Sequence, residues 1–254
     1  MTVMKKPIRH LLAMLALLSP LSAFAAEGPV LEKAPIDIHD TESLQRGAQV
    51  FVNYCLSCHS ATSMRYSRLT DIGLSEEQIK ASLLPPDGKI GDLMRVSMDA
   101  KDAKLWLANN PPDLSVEARS RGADWIYAYL RGFYRDPSRP TGWNNAVFDK
   151  VAMPHVLWQW QGDQVIDTAR PVHAGEPPVL KLVKAGTLTS LENGRATTVD
   201  YDRRMADLTN FLVYMGEPAQ VKRQQIGYAV LMFLGLLLLP LAYFLKKEYW
   251  RDVH

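Results

Sequence analysis

The sequence predicts a mainly α chain with long loops, room for one small hairpin, and one C-terminal transmembrane helix. Three observations predict it. Helical periodicity appears in separated segments, around 41–55, 116–136 and 202–216. The stretches between them are long, irregular and rich in Pro, Gly and Trp. Residues 226–245, IGYAVLMFLGLLLLPLAYFL, contain no charge at all.

The chain divides by composition into four parts. Residues 1–25 read as a signal peptide: Lys5, Lys6 and Arg9 precede an apolar run that ends in the small-residue pattern Ala23-Phe24-Ala25. Residues 26–221 form the exported domain, and residues 27–40 within it are polar, proline-broken and extended. Residues 222–246 form the anchor and 247–254 a cytoplasmic tail. About a dozen Leu, Ile, Val and Phe in the anchor, at roughly −0.4 kcal/mol each, favour insertion by ~5 kcal/mol. Pro240 and two glycines are tolerated there better than in a soluble helix. A secretory leader followed by one span puts the main body outside the cytoplasm.

In the first helix candidate, Thr41 to Cys55, Leu44, Ala48, Phe51 and Cys55 recur at helical spacing. Gly47 lies on the same side. A glycine inside a helix costs about 1 kcal/mol against alanine, so its position predicts a close crossing with another element. The second candidate, VEARSRGADWIYAYLRGFYRD, is strongest from Ala123 to Arg131. In the third, DRRMADLTNFLVYMG, Met205, Leu208, Leu212 and Met215 share one face, and Gly216 sits where a C-terminal cap belongs. VLKLV at 179–183 alternates like a strand, and ENGR at 192–195 offers a hairpin turn.

A net charge of +2 in 254 residues, with scattered Lys and Arg, argues against a nucleic-acid partner. No glycine-rich phosphate loop, G-x-S-x-G or H-E-x-x-H occurs. The only two cysteines stand in Cys55-Leu56-Ser57-Cys58-His59. C-x-x-C-H is the pattern of c-type haem attachment. Two thiols three positions apart reach the two vinyl groups of one porphyrin, and the next imidazole turns beneath the ring to the iron. Three rivals are weaker. A simple disulfide suits an oxidising compartment. A thiol–disulfide oxidoreductase belongs near a βαβ pattern, and none is evident. Zinc wants four ligands, and no second cluster completes them.

An electron carrier needs a second axial ligand, and a methionine thioether raises the potential. Met64 lies too near the motif in sequence, and Met205 and Met215 fall on a helix face where core packing is the natural role. Met94 and Met98 would suit a compact c-type domain. Met153, in KVAMPHVLW, sits in an irregular stretch before Pro154 that can fold over a haem edge. His155 is a further ligand candidate, with a surface or hydrogen-bonding role as its plainer reading. Residue context ranks Met153 above Met98.

The chain resembles the cytochrome c1 family, the membrane-anchored c-type haem subunits of cytochrome bc1 complexes. The resemblance is carried by CLSCHS with RYSRL downstream, NNPPDLSVEARSRGADWIYAYLRGFY, VAMPHVLW, GEPAQVKRQQIG and the anchor ending LPLAYFLKKEYW. It implies a cytochrome c-like haem domain with one covalent haem c. It implies Met153 as the second axial ligand to the iron beside His59, Arg121 against a haem propionate, and a carbonyl near Pro111–Pro112, assigned to Pro112, orienting the His59 ring. A guanidinium–carboxylate pair is chemically apt there, although a solvated helix-start charge is the plainer reading of Arg121. His155, directly after Met153-Pro154, departs from the small residue or proline expected in relatives. The implied role is single-electron transfer from a Rieske iron–sulfur protein to a soluble or tethered c-type cytochrome. Cytochrome b would be a neighbour and would handle quinol. The whole dimeric complex would then be the enzyme and this chain an electron-transfer subunit. It would sit in the bacterial inner membrane with its haem domain in the periplasm. The rival role is another membrane-tethered monohaem carrier or oxidase subunit.

Overall fold

The computed structural model describes residues 31–249 and 251, except 97, 108, 173 and 174. The expected signal peptide, 1–25, lies outside the described residues. In chain order come α1 (Thr41–Val50), a π turn (Phe51–Cys55), β1 (Ala61–Arg65), a 3-10 turn (Tyr66–Ile72), α2 (Glu76–Ser82), β2 (Leu93–Met94), α3 (Ala100–Leu107), α4 (Glu117–Arg121) and α5 (Ala123–Arg131). There follow β3 (Phe133–Arg135), β4 (Trp143–Asn145), α6 (Trp158–Gln161), β5 (Gly162–Ile166), β6 (Leu180–Ala185), β7 (Ser190–Glu192), β8 (Arg195–Thr197) and α7 (Val199–Gly216). One helical run closes the chain as α8 (Gln220–Phe233), a π turn (Leu234–Leu238) and α9 (Leu239–Tyr249).

The first expected helix is present, with its last turn widened. Asp40 caps α1 by accepting from the Ser43 N–H at 2.9 Å, a contact worth about 1 kcal/mol. Leu44, Ala48 and Val50 are buried against α7 and its neighbours. The crossing that Gly47 predicted is there. A Cβ at Gly47 would overlap the Asp207 carbonyl oxygen and stand 2.7 Å from Phe211 Cβ. Beside it, the Arg46 Nε donates to Asp207 Oδ2 at 2.7 Å, and a second guanidinium nitrogen reaches Oδ1 at 3.0 Å. The Asp207 carboxylate is only 6% exposed, so this fork satisfies a group that burial would otherwise penalise.

The second helix candidate is two helices. Gly122 has φ +87°, which ends α4 and starts α5. In α7 the predicted face is buried: Met205, Leu208, Leu212 and Met215, joined by Tyr201 and Phe211. Gly216 is the last helical residue rather than a left-handed cap, and the cap is the extended Glu217, φ −154°.

Strand content exceeds the expectation. Four two-stranded antiparallel sheets are present among the described residues, β1–β2, β3–β4, β5–β6 and β7–β8. The ENGR turn does join a hairpin, β7 to β8, with Asn193 at φ 50° and Gly194 at φ 76°. VLKLV becomes most of β6. The remaining strands are short, and β1–β2 is broken by a register shift, so alternation along the sequence does not mark them.

The C-terminal helical run, Gln220–Tyr249, is 30 residues long, and its most apolar 18-residue window has mean hydropathy 2.3 and is unburied. At 1.5 Å per residue it reaches ~45 Å, enough for a hydrocarbon core. The π turn stands just before Pro240, whose missing N–H interrupts the regular ladder.

Gly47→Ala is expected to destabilise the full chain by about 1–3 kcal/mol through overpacking. Gly91→Ala, where an added Cβ meets nothing within 4 Å, serves as the neutral control. Thermal unfolding of both variants in detergent checks this, with a lower midpoint for Gly47→Ala alone.

Candidate functional site

The π turn delivers the cysteine motif to the end of α1. The Cys58 and His59 N–H groups both donate to the Cys55 carbonyl, at 3.0 and 2.8 Å, curling residues 55–59 into a tight turn. Cys55, Cys58 and His59 face one apolar cavity that Pro111, Pro112 and Met153 also line. An adjoining lobe shares Cys55, His59, Pro112 and Met153 and extends to Arg121, Trp125, Tyr129, Lys150, Leu208 and Leu212. This lobe holds about 1200 Å³ counted to its open mouth. Thus the π turn and the motif that follows it, the loop before α4, α4 itself, α5, the loop after β4 and α7 all contribute walls.

The two cysteines are not joined to each other by a disulfide. Burial pushes the Cys55 thiol up to about 12, with neighbouring Cys58 adding to the effect. His59 Nδ1 lies 2.8 Å from the Pro112 carbonyl oxygen. An N–H donating there fixes the tautomer and leaves Nε2 with its lone pair free. Burial holds His59 below the ordinary imidazole range, against the opposing pull of the Pro112 carbonyl, Glu117 and Asp113. A neutral imidazole is the form that binds a metal.

The Pro111–Pro112 segment is held by its successor. Asp113 Oδ2 accepts from the Thr62 N–H and hydroxyl at 2.9 and 2.8 Å, and its Oδ1 accepts from the Ser115 N–H at 2.8 Å. Leu114 N–H donates to the Ser60 carbonyl at 2.8 Å, one residue past the motif. These bonds tie the loop that carries the His59 acceptor to the strand that follows His59.

Met153 lies in the irregular loop between β4 and α6. It packs on a small buried cluster of Phe133, Trp143 and Val151. The Tyr129 hydroxyl donates to the Met153 sulfur at 3.4 Å. Burial pushes the Tyr129 hydroxyl above the usual phenol range, so it stays a donor at neutral pH. Sequence periodicity gave no hint of Tyr129, because a tyrosine on a helix face reads as packing.

The other methionines stand elsewhere. Met64, Met94, Met205 and Met215 are all buried in the main core. Met98 is not among the residues lining the cavity. Of the surface or hydrogen-bonding role expected for His155, the surface half does not hold. His155 is 3% exposed, stacked on Phe133 at 4.6 Å and edge-on to Trp143 at 4.8 Å. Burial pushes its pKa down to about 3, which keeps it neutral. Arg121 borders the lobe with its guanidinium 4.7 Å above the Trp125 ring and 3.1 Å from Glu117 Oε1. Among the described residues, no group of three or more His, Cys, Asp or Glu is placed to hold a bare metal ion.

The donor set fits a flat, largely apolar prosthetic group. Two thiols sit on one edge, a tautomer-fixed imidazole and a thioether reach the same space, and Arg121 and Lys150 stand at the rim for acidic substituents.

Comparison with known proteins follows the same line. The sequence model of the Cytochrome C1 family matches residues 31–253. The chain is 46% identical to a protein of Allochromatium vinosum named cytochrome c1, over 96% of this chain and 98% of that one. It is 31% identical to cytochrome c1 of Rhodospirillum rubrum, over 85% and 83%. It is also 50% identical, over 94% and 95%, to a Nitrosomonas europaea protein named ammonia monooxygenase gamma subunit.

Burial alone would raise Asp113, but hydrogen bonds from Ser115 and Thr62 outweigh it and hold its carboxyl below the usual range. Its stabilising contribution is present above the ordinary Asp pKa and is lost as pH falls through the lower folded value. Asp113→Ala is therefore expected to lower stability at neutral pH and to flatten the loss on acidification. A pH series of melting midpoints measures this; an unchanged acid limb would contradict it.

Proposed function

The chain belongs to the Cytochrome C1 family, and from that premise we propose that it carries single electrons within a quinol–cytochrome c reductase, the cytochrome bc1 complex. The observation that carries the reading is the shared cavity: the C-x-x-C-H residues and Met153, far apart in sequence, border one apolar space. Haem c, when bound, supplies an iron that cycles between ferric and ferrous states.

In this reading each residue has a defined task. Cys55 and Cys58 hold the group covalently, which makes it permanent. His59 would hold the iron through Nε2, because its Nδ1–H is committed to Pro112. Met153 would supply the second ligand through its sulfur, and Met/His ligation would raise the potential. Arg121 pairs with a propionate, with the Trp125 ring beneath its guanidinium supporting the pose. His155, packed flat on Phe133, stiffens the loop that carries Met153.

Residues 26–221 are the exported haem domain, residues 222–246 the membrane anchor, and 247–254 the cytoplasmic tail; 1–25 are the signal peptide. The anchor belongs in a bacterial inner membrane, with the haem domain in the periplasm. A single span beside cytochrome b would keep the haem domain within reach of a Rieske protein. The electron then leaves to a soluble or tethered c-type cytochrome. Quinol oxidation falls to other subunits, so the dimeric complex is the enzyme and this chain its electron-transfer subunit. The name of the Nitrosomonas relative points to a different assembly, and no feature of the cavity singles that assembly out.

Met153→Ala is expected to abolish the methionine-ligated low-spin spectrum and lower the midpoint potential, while Met98→Ala leaves both intact. Optical redox titration of membrane-purified protein decides between them. Arg121→Gln is expected to shift the midpoint without changing the ligation spectrum. An unmoved midpoint would return Arg121 to its solvated pairing with Glu117.

A further inference from the structure

We propose that Tyr129 is a positioning residue that sets the electron-donating strength of the Met153 sulfur through the hydrogen bond between them. The inference rests on the reading of Met153 as axial ligand and goes beyond it. Three observations carry it. The hydroxyl donates to the sulfur at 3.4 Å, inside the range expected for a sulfur acceptor. The ring has little freedom: it stacks on Trp125 at 5.0 Å, 12° from parallel, and meets the Phe133 edge at 5.2 Å. Its backbone is fixed as well, since the Tyr129 carbonyl accepts from Asn145 Nδ2 at 2.8 Å. That bond reaches across to the strand before the Met153 loop, so ring and sulfur are referenced to the same frame.

The chemistry follows from the lone pairs. A thioether sulfur has two. One serves the iron, and the other accepts the phenol proton. A hydrogen bond at the second lone pair withdraws electron density and weakens donation to iron. Ferric iron needs that donation more than ferrous iron does, so the bond favours the reduced state. Axial ligands and the groups hydrogen-bonded to them are the levers by which a protein sets a haem potential. Trp125 thus has two neighbours in one cavity wall, the Tyr129 ring and the Arg121 guanidinium. The wall sets the hydroxyl of α5 and the cation at the end of α4 on either side of one ring.

The test is Tyr129→Phe in the full chain, purified from membranes with its companion subunits. The ring and its stacking remain, and only the hydroxyl is lost. The midpoint is expected to fall, so that at the wild-type midpoint the reduced-to-oxidised ratio drops about 3- to 10-fold, the span of one ordinary hydrogen bond. The sulfur-to-iron charge-transfer band should persist but shift. Fluorotyrosine placed at position 129 is a stronger donor and is expected to move the midpoint the opposite way. It also serves if the Phe variant fails to accumulate. A midpoint unmoved by either change, with the charge-transfer band intact, overturns the role of Tyr129 and leaves Met153 as ligand. A wild-type spectrum in Met153→Ala overturns both.

Discussion

The close crossing of α1 and α7 at Gly47 is the constraint on which the rest of the structure depends. With no side chain at that position, the α1 backbone comes down onto the Asp207 carbonyl and the Phe211 Cβ. The consequence runs in two directions. Toward the C-terminal end of α1, it fixes where the π turn releases Cys55, Cys58 and His59. Along α7, it aims Leu208 and Leu212 at the same cavity. The Arg46–Asp207 fork, with its carboxylate almost wholly buried, holds the two helices in one register. Only the carboxylate end of this pair is buried, so loss of Arg46 would strand an uncompensated charge at the crossing.

Around that crossing, the long loops are held by polar side chains rather than by regular structure. Asp113 ties the Pro112 loop to the strand after the motif. Asn144 donates to both Asp136 and Asp149, and the Asn145 side chain accepts from the N–H of Val147 while donating to the Tyr129 carbonyl. The Met153 loop then lies on Phe133 and Trp143, with its own His155 stacked flat on Phe133. The expectation that loops of this length wrap something is met by a cavity whose walls they form. Rigid walls matter for electron transfer, because little reorganisation at the ligands keeps the barrier low.

Much of this was legible in the residues, and the illegible part has a physical cause. A stripe such as Met205, Leu208, Leu212 and Met215 declares a buried helix face, and Gly47 inside such a stripe declares a close neighbour. The Asn-Gly pair at 193–194 declares a hairpin, because both residues accept positive φ. Strands of two or three residues, such as Leu93–Met94, carry too little alternation to be seen. Gly122 hid a helix break inside a continuous polar–apolar pattern. Tyr129 and His155 owe their places to tertiary packing alone: one reads as an ordinary helix residue, the other as a loop histidine, and neither pattern points to the Met153 sulfur beside the one or the Phe133 ring beneath the other. The C-x-x-C-H motif was legible because its chemistry is local. Residue context put Met153 ahead of Met98, the family resemblance pointed the same way, and the cavity brings it to the motif.

Peptide mass spectrometry of the membrane-purified chain tests the central claim most directly. The account predicts that the fragment spanning Cys55–His59 carries the added mass of one haem and has no alkylatable thiol. The same fragment at its bare peptide mass, with both cysteines open to alkylation, would contradict it.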